Sequence, residues 1–247
     1  MVSVVLFAGG VGSRFKSEDI PKQFVEVEGK PIIIHTLEKF CKHPMVDQIV
    51  IACLESWIDV LKEQLVTYGI TKVVSVVKGG SNGHESINNG LMEVAKEYTN
   101  EDIVLICDGV RLMISEQLIT NCINETRAHG TAVPVTQSID SVLESFDGSS
   151  CNKNYLRKNM FITQAPQGYY VDKIVKAHEE AEKRGIDNPI SSAELLIELG
   201  ESVHIFIGER QNIKVTTPED LYTLRAGYYY EHYRRFAKEE LKYGLDV

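Results

Sequence analysis

Gly9, Gly10 and Gly12 fall within a four-residue stretch and are followed by two cations, Arg14 and Lys22. Glycines let backbone N–H groups come close to an anion, and the start of a following helix adds the positive end of its dipole. Arg14 contributes a planar fork of donors and Lys22 a compact charge. Together they suit a polyphosphate held near the N-terminus. A tight strand-to-helix turn whose Arg and Lys stay in water is the plainer reading of the same residues. Two familiar phosphate loops are excluded by spacing. The dinucleotide fingerprint needs a third glycine where Phe15 stands, and the Walker pattern fails because Gly29-Lys30 is followed by Pro31.

A second chemical group is Asp108, which ends the apolar run Ile103-Val104-Leu105-Ile106-Cys107. An acid at a strand tip beside a phosphate loop is a natural Mg2+ ligand. Before Gly109 the same Asp also reads as a turn former. The neighbouring glycine loop strengthens the metal reading.

These residues need elements to bring them together. Apolar Val2–Phe7 predicts a buried strand that runs into the glycine loop. Strands are expected at 48–52, 72–77, 102–107, 131–135 and 203–207. Helices are expected at 32–40, 56–68 with Ser56 as N-cap, 86–98, 115–129 between Ser115 and Gly130, 173–184 and 192–199. Thr217-Pro218-Glu219-Asp220 fits a capping box opening a last helix. Alternation of this kind predicts an α/β fold, a mostly parallel sheet with helices on both faces. Residues 138–161 break the rhythm and carry the turn pair Asp147-Gly148, which suggests a β-arm leaving the sheet. One domain over 1–247 is expected, with the arm at about 138–161 and an extra helical tail at about 228–247. Ligands of such sheets bind at the C-terminal ends of strands, where Gly9–Arg14, Gly79–Ser86 and Asp108–Arg111 would lie.

Bulk properties narrow the partners. The 247 residues are 43% hydrophobic and 25% charged, with a net charge of −9. An acidic chain is not built to neutralise a nucleic-acid backbone, so no nucleic-acid partner is expected. No apolar run reaches the ~20 residues of a membrane span, and no signal peptide is visible. Five scattered cysteines without a Cys-x-x-Cys pair suit buried thiols in a reducing cytoplasm.

Several segments, in order, resemble the cytidylyltransferases that join CTP to methylerythritol phosphate or ribitol phosphate. They are Ala8–Arg14, Pro21-Lys22-Gln23-Phe24, Gly29-Lys30-Pro31 with His35-Thr36-Leu37, Gly79-Gly80 with Ser86, Asp108 with Arg111, Gln164 with Pro166-Gln167, and Asn212–Leu221. The resemblance implies a Rossmann-like nucleotidyltransferase fold. It implies that Ala8, Gly9, Gly10 and Gly12 wrap CTP and that Gly80 and Ser86 contact the cytosine. Arg14, Lys22 and Lys214 would act on the α-phosphate, and Asp108 would hold Mg2+. Arg111, Ser138, Arg157 and Ala165 would meet the polyol phosphate. The arm would reach a second subunit, completing its site in a homodimer.

The chain also departs from the pattern. Gly109 and Leu112 replace an Ala and a Pro, Cys107 a His, Ala165 a Thr, Gly83 an Arg and Ser192 an Asp. Most of these changes fall on the acceptor side or near the base. Ribitol 5-phosphate is the first acceptor expected, methylerythritol 4-phosphate the second, and another polyol phosphate of surface-polymer synthesis the third. A non-catalytic nucleotide-binding regulator is the rival from another class, and retention of Arg14, Lys22, Asp108 and Lys214 speaks against it.

Overall fold

The computed structural model describes residues 1–10, 20–186, 189–227 and 229. Gly12 and Arg14 lie outside the described residues, as does the expected tail at 228–247 apart from Tyr229.

Strand β1 (Val2–Ala8) is buried along nearly its whole length, as its apolar run predicts, and is an interior strand of the sheet. The remaining strands in chain order begin with two short ones, β2 (Glu26–Val27) and β3 (Lys30–Pro31), which form a separate pair. Then come β4 (Gln48–Cys53), β5 (Val73–Lys78), β6 (Ile103–Asp108), β7 (Thr131–Gln137), β8 (Leu143–Glu144) and β9 (Lys153–Asn154). The last are β10 (Phe161–Thr163), β11 (Gln167–Tyr170) and β12 (Ile205–Ile207). The helices are α1 (Ile32–Lys42), α2 (Ile58–Thr67), α3 (Gly83–Val94), α4 (Glu116–His129), α5 (Val171–Arg184) and α6 (Ser192–Glu198). Residues 220–227 are also helical.

The main sheet runs β10-β7-β11-β6-β1-β4-β5, with β12 parallel to β7. Its parallel core pairs β1 with β6 on one side and β4 on the other, and β4 with β5. The registers Phe7↔Asp108 and Ala8↔Cys53 bring three strand tips to one edge. Helices cover both faces. Ile33, Leu37, Phe40, Leu118 and Ile119 pack on one side, and Leu91, Ile174 and Leu196 on the other.

Sequence and structure diverge in three places. Strand β11 was not expected: it enters antiparallel between β6 and β7, so the sheet is mixed at that side. Ser56 is not a cap; it sits in a 3-10 turn, Glu55–Trp57, and Trp57 occupies the N-cap position without a side-chain bond. Helix α3 begins at Gly83, three residues before the expected start, because Asn82 caps it and accepts from Glu85 N–H at 2.8 Å. Asp220 accepts from Thr217 N–H at 2.8 Å, the return half of the expected capping box, and also from Thr216 N–H. Between β7 and β10 the chain is off the main sheet, with β8 paired to β9 around the Asp147-Gly148 turn; Phe161, expected in the arm, is already back in the sheet as the first residue of β10.

Candidate active site

A cavity of about 520 Å3 opens at the strand tips, lined among others by Ala8, Gly9, Gly10, Lys22, Asp108 and Lys214. Its floor is close-packed backbone. A Cβ on Gly9 would lie 2.5 Å from Ser86 Oγ, so any side chain there collides with α3. Gly80 faces the same limit, with its Cβ position 2.1 Å from Glu85 Cβ. Ser86, 1% exposed, locks this corner: its Oγ accepts from Gly80 N–H at 3.0 Å and donates to Asn82 O at 2.8 Å. Gly80, Ser81, Asn82 and Gly83 place the N-terminus of α3 on the cavity wall, where the positive end of its dipole favours an anion or a polar ring edge.

Gln23, quoted in the sequence motif without a role, turns out to hold the loop. It is 2% exposed, and its Nε2 donates to Ala8 O at 2.7 Å and Gly10 O at 3.3 Å. Those two bonds fix the carbonyls where β1 passes into the loop. Lys22, in the turn Lys22–Phe24, donates to Val215 O at 3.1 Å, which anchors its stem beside the segment carrying Lys214.

The electrostatic centre is Asp108, 5% exposed at the end of β6. Its Oδ2 accepts from Arg111 Nε at 2.8 Å and its Oδ1 is 2.5 Å from Lys214 Nζ. Burial pushes its pKa up, but Arg111 and Lys214 outweigh burial and hold it below the ordinary 3.8. The two partners differ in freedom. The Arg111 side chain is 9% exposed and also donates to Asn212 O at 2.9 Å, whereas Lys214 is 41% exposed. Arg111 is therefore a fixed strut and Lys214 a cation able to swing toward a ligand.

A polar brace behind the site was invisible in the sequence. Gln164 Nε2 donates to Glu209 O at 2.7 Å and its Oε1 accepts from Glu209 N–H at 3.1 Å. Asn212 Nδ2 donates to Ala165 O at 2.7 Å. The brace ties residues 164–165 to the strand-like segment that presents Lys214. Both residues lie in the motif segments, but only their three-dimensional partners disclose the role.

A second cavity of about 230 Å3 shares Phe7, Asp108 and Lys214 with the first and adds Arg111, Ala165 and Ser192. Ser192 is 3% exposed and its Oγ has no hydrogen-bond partner. Buried hydroxyls are normally paired, so an unpaired one on a cavity wall suits a polar ligand. Ser138 and Arg157 are elsewhere. They line a third, open hollow that has no lining residue in common with the other two. Ser138 Oγ donates to Asp140 O at 2.8 Å and Arg157 Nη1 to Ile139 O at 3.2 Å. Within one chain the structure thus unites Lys22, Asp108, Arg111, Ala165 and Lys214, and leaves the arm residues apart.

Among the described residues lining the two joined cavities, Asp108 is the one carboxylate. Mg2+ takes one or two carboxylates and completes its shell with substrate phosphates and water. Asp108 beside a polyphosphate cradle fits that donor set, with Lys214 yielding Oδ1.

The model of the IspD family, 2-C-methyl-D-erythritol 4-phosphate cytidylyltransferase, matches residues 2–230. The chain belongs to this family. A ribitol-5-phosphate cytidylyltransferase of Vibrio parahaemolyticus is 36% identical over 90% of this chain and 93% of its own. A 2-C-methyl-D-erythritol 4-phosphate cytidylyltransferase of Clostridium acetobutylicum is 37% identical over 90% and 95%. The crystal structure of the IspD protein of Francisella tularensis superposes with a TM-score of 0.77 at 26% identity, covering 91% of this chain and 98% of that one. The architecture is accordingly the α/β nucleotidyltransferase-like fold of IspD proteins. Among the described residues, no helix is long and apolar enough to cross a membrane.

Proposed function

We propose that this IspD-family protein transfers CMP from CTP to a polyol phosphate, with D-ribitol 5-phosphate the first acceptor. CDP-ribitol and pyrophosphate would be the products. The observation that carries the reading is the pair of cavities meeting at Asp108 and Lys214. The glycine-floored one is shaped for CTP, and the smaller one for an acceptor beside its α-phosphate.

A phosphate oxygen of the acceptor attacks the α-phosphorus in line, the bond to the β-phosphate bridging oxygen breaks, and pyrophosphate leaves. The acceptor phosphate is already ionised at neutral pH, so no general base is needed. What remains is to align two polyanions and neutralise the charge of the transition state. Lys22 sits on the CTP side and Lys214 at the junction, and Arg14 would join them from the loop. Asp108 would hold Mg2+, which supplies further charge neutralisation on the phosphates when bound. Arg111 keeps Asp108 ionised and oriented. The free Ser192 hydroxyl in the smaller cavity would meet an acceptor hydroxyl, and the small Ala165 would leave it room.

The arm supports a homodimer. Leu143, Phe146 and Leu156 are 62%, 97% and 64% exposed, an apolar surface suited to a second copy. Ser138 and Arg157 would then grip the acceptor phosphate in the partner's site. CTP is a cytoplasmic nucleotide, and an enzyme that consumes it fits that compartment.

The test is pyrophosphate release from CTP and Mg2+ against ribitol 5-phosphate, methylerythritol 4-phosphate, glycerol phosphates, and pentitol and hexitol phosphates. Turnover with ribitol 5-phosphate at the greatest kcat/KM is expected. A greater value for methylerythritol 4-phosphate would move the protein to isoprenoid synthesis. CTP binding with no turnover on any acceptor would favour the regulator.

A further inference from the structure

His129 and His204 stack their imidazoles with ring centres 3.7 Å apart, and both point a ring nitrogen at one carboxylate. Glu125 Oε2 is 2.9 Å from His204 Nε2 and 3.4 Å from His129 Nε2. Glu125 and His129 stand four residues apart on α4 and so share a face. His204 comes from the segment leading into β12, where its N–H donates to Thr131 Oγ1 at 2.8 Å. Two parts of the fold far apart in sequence therefore converge on one point.

We propose that Glu125, His129 and His204 form a binding site for a divalent transition ion of the Zn2+ class. One ligand atom from each lies within 4.8 Å of the other two. A tetrahedral Zn2+ with bonds of about 2.0–2.1 Å sets its ligand atoms about 3.3 Å apart, so the present spacing needs only small rotations. Two imidazoles and one carboxylate are a Zn2+ donor set, with the fourth position left to water. All three side chains are partly open to solvent, which provides the entry path. The site also lies in the last turn of α4, whose dipole ends negative and favours a cation.

Its place in the fold separates it from the catalytic centre. Helix α4 leads from the Asp108 edge back to the start of β7, and β12 runs parallel to β7 with His204 just before its first residue. The cluster therefore sits at the opposite end of the sheet from Asp108. An ion there would clip α4 to β12 and stabilise the native chain by binding it alone.

Co2+ titration of the purified full-length chain in excess Mg2+ tests this, because Mg2+ fills the oxygen-rich sites and tetrahedral Co2+ absorbs visibly. One Co2+ per chain is expected, displaced by Zn2+, with Zn2+ raising Tm. H129Q and H204Q should each weaken Co2+ binding by about 100-fold and abolish the Zn2+ effect on Tm, with cytidylyl transfer unchanged. The His129 side chain is 46% exposed, so H129Q is not expected to impair folding. Absence of a coloured one-to-one complex, or one that survives the double variant H129Q/H204Q, would overturn the proposal.

Discussion

At the scale of single residues, Asp108 carries more than a metal-binding role. Asp108→Asn removes the charge opposing Arg111 and Lys214, and Arg111 is too buried to be rehydrated. Breaking such a buried pair costs about 3–5 kcal/mol, and turnover should fall by about 10²–10³. Steady-state kinetics and urea unfolding read the two effects separately. The same residue sets an acid limit. Its folded pKa lies below 3.8, so its contribution to stability is fully present above that value and is lost as acid carries the pH down through the folded pKa. Gly9→Ala places a methyl against Ser86 Oγ, and KM for CTP should rise by about tenfold or more. Adding Ser86→Ala removes that oxygen together with its bonds to Gly80 and Asn82, so the loss in G9A/S86A should be smaller than the two single losses combined; fully additive losses would rule out the collision. At Gly83 a Cβ meets nothing within 4 Å, so Gly83→Arg should fit and tighten CTP binding, measured by calorimetry.

The element scale shows what could be read in advance. Strand β1 and helix α4 were legible because burial and capping are local. An unbroken apolar run marks the first, and Ser115 accepting from Leu118 N–H at 3.0 Å with Gly130 as stop marks the second. Strand β11 was not, because Gln167-Gly168-Tyr169-Tyr170 has no alternation and owes its state to β6 and β7, whose pairing no short window contains. The candidate site divides the same way. Glycines and cations declare themselves by type, whereas Gln23, Gln164 and Asn212 act through backbone partners far away in sequence. Helix packing also creates a group that sequence alone passed over. His178 on α5 is 3% exposed, stacks on His84 of α3, and has neither ring nitrogen hydrogen-bonded. Burial, then the neighbouring His84, pulls its pKa from 6.5 to about 3. The unfolded chain takes up this proton at higher pH, so stability falls as pH drops from 6.5 toward about 3, with a slope of up to about 1.4 kcal/mol per pH unit. His178→Leu should flatten Tm against pH across that window; an unchanged slope would refute the assignment.

For the whole molecule, the separation of Arg157 from Asp108 within one chain makes a firm demand. If the arm completes a neighbour's site, D108N and R157A should each be nearly inactive alone. Mixed and allowed to exchange subunits, they should regain about a quarter of wild-type activity, because half of the dimers then hold one intact site of two. A mixture no more active than its components would show that Arg157 acts within its own chain or not at all.

Strand β11 has a last consequence, for synthesis on the ribosome. Strands β6 and β7 emerge joined by α4, yet the slot between them is filled by residues 167–170, about thirty positions later. Until those residues leave the exit tunnel, the facing edges of β6 and β7 offer unpaired N–H and C=O groups to any passing strand. A nascent chain stalled inside the arm should therefore be a preferred client of chaperones that shield open sheet edges, and release from them should coincide with the arrival of Tyr170.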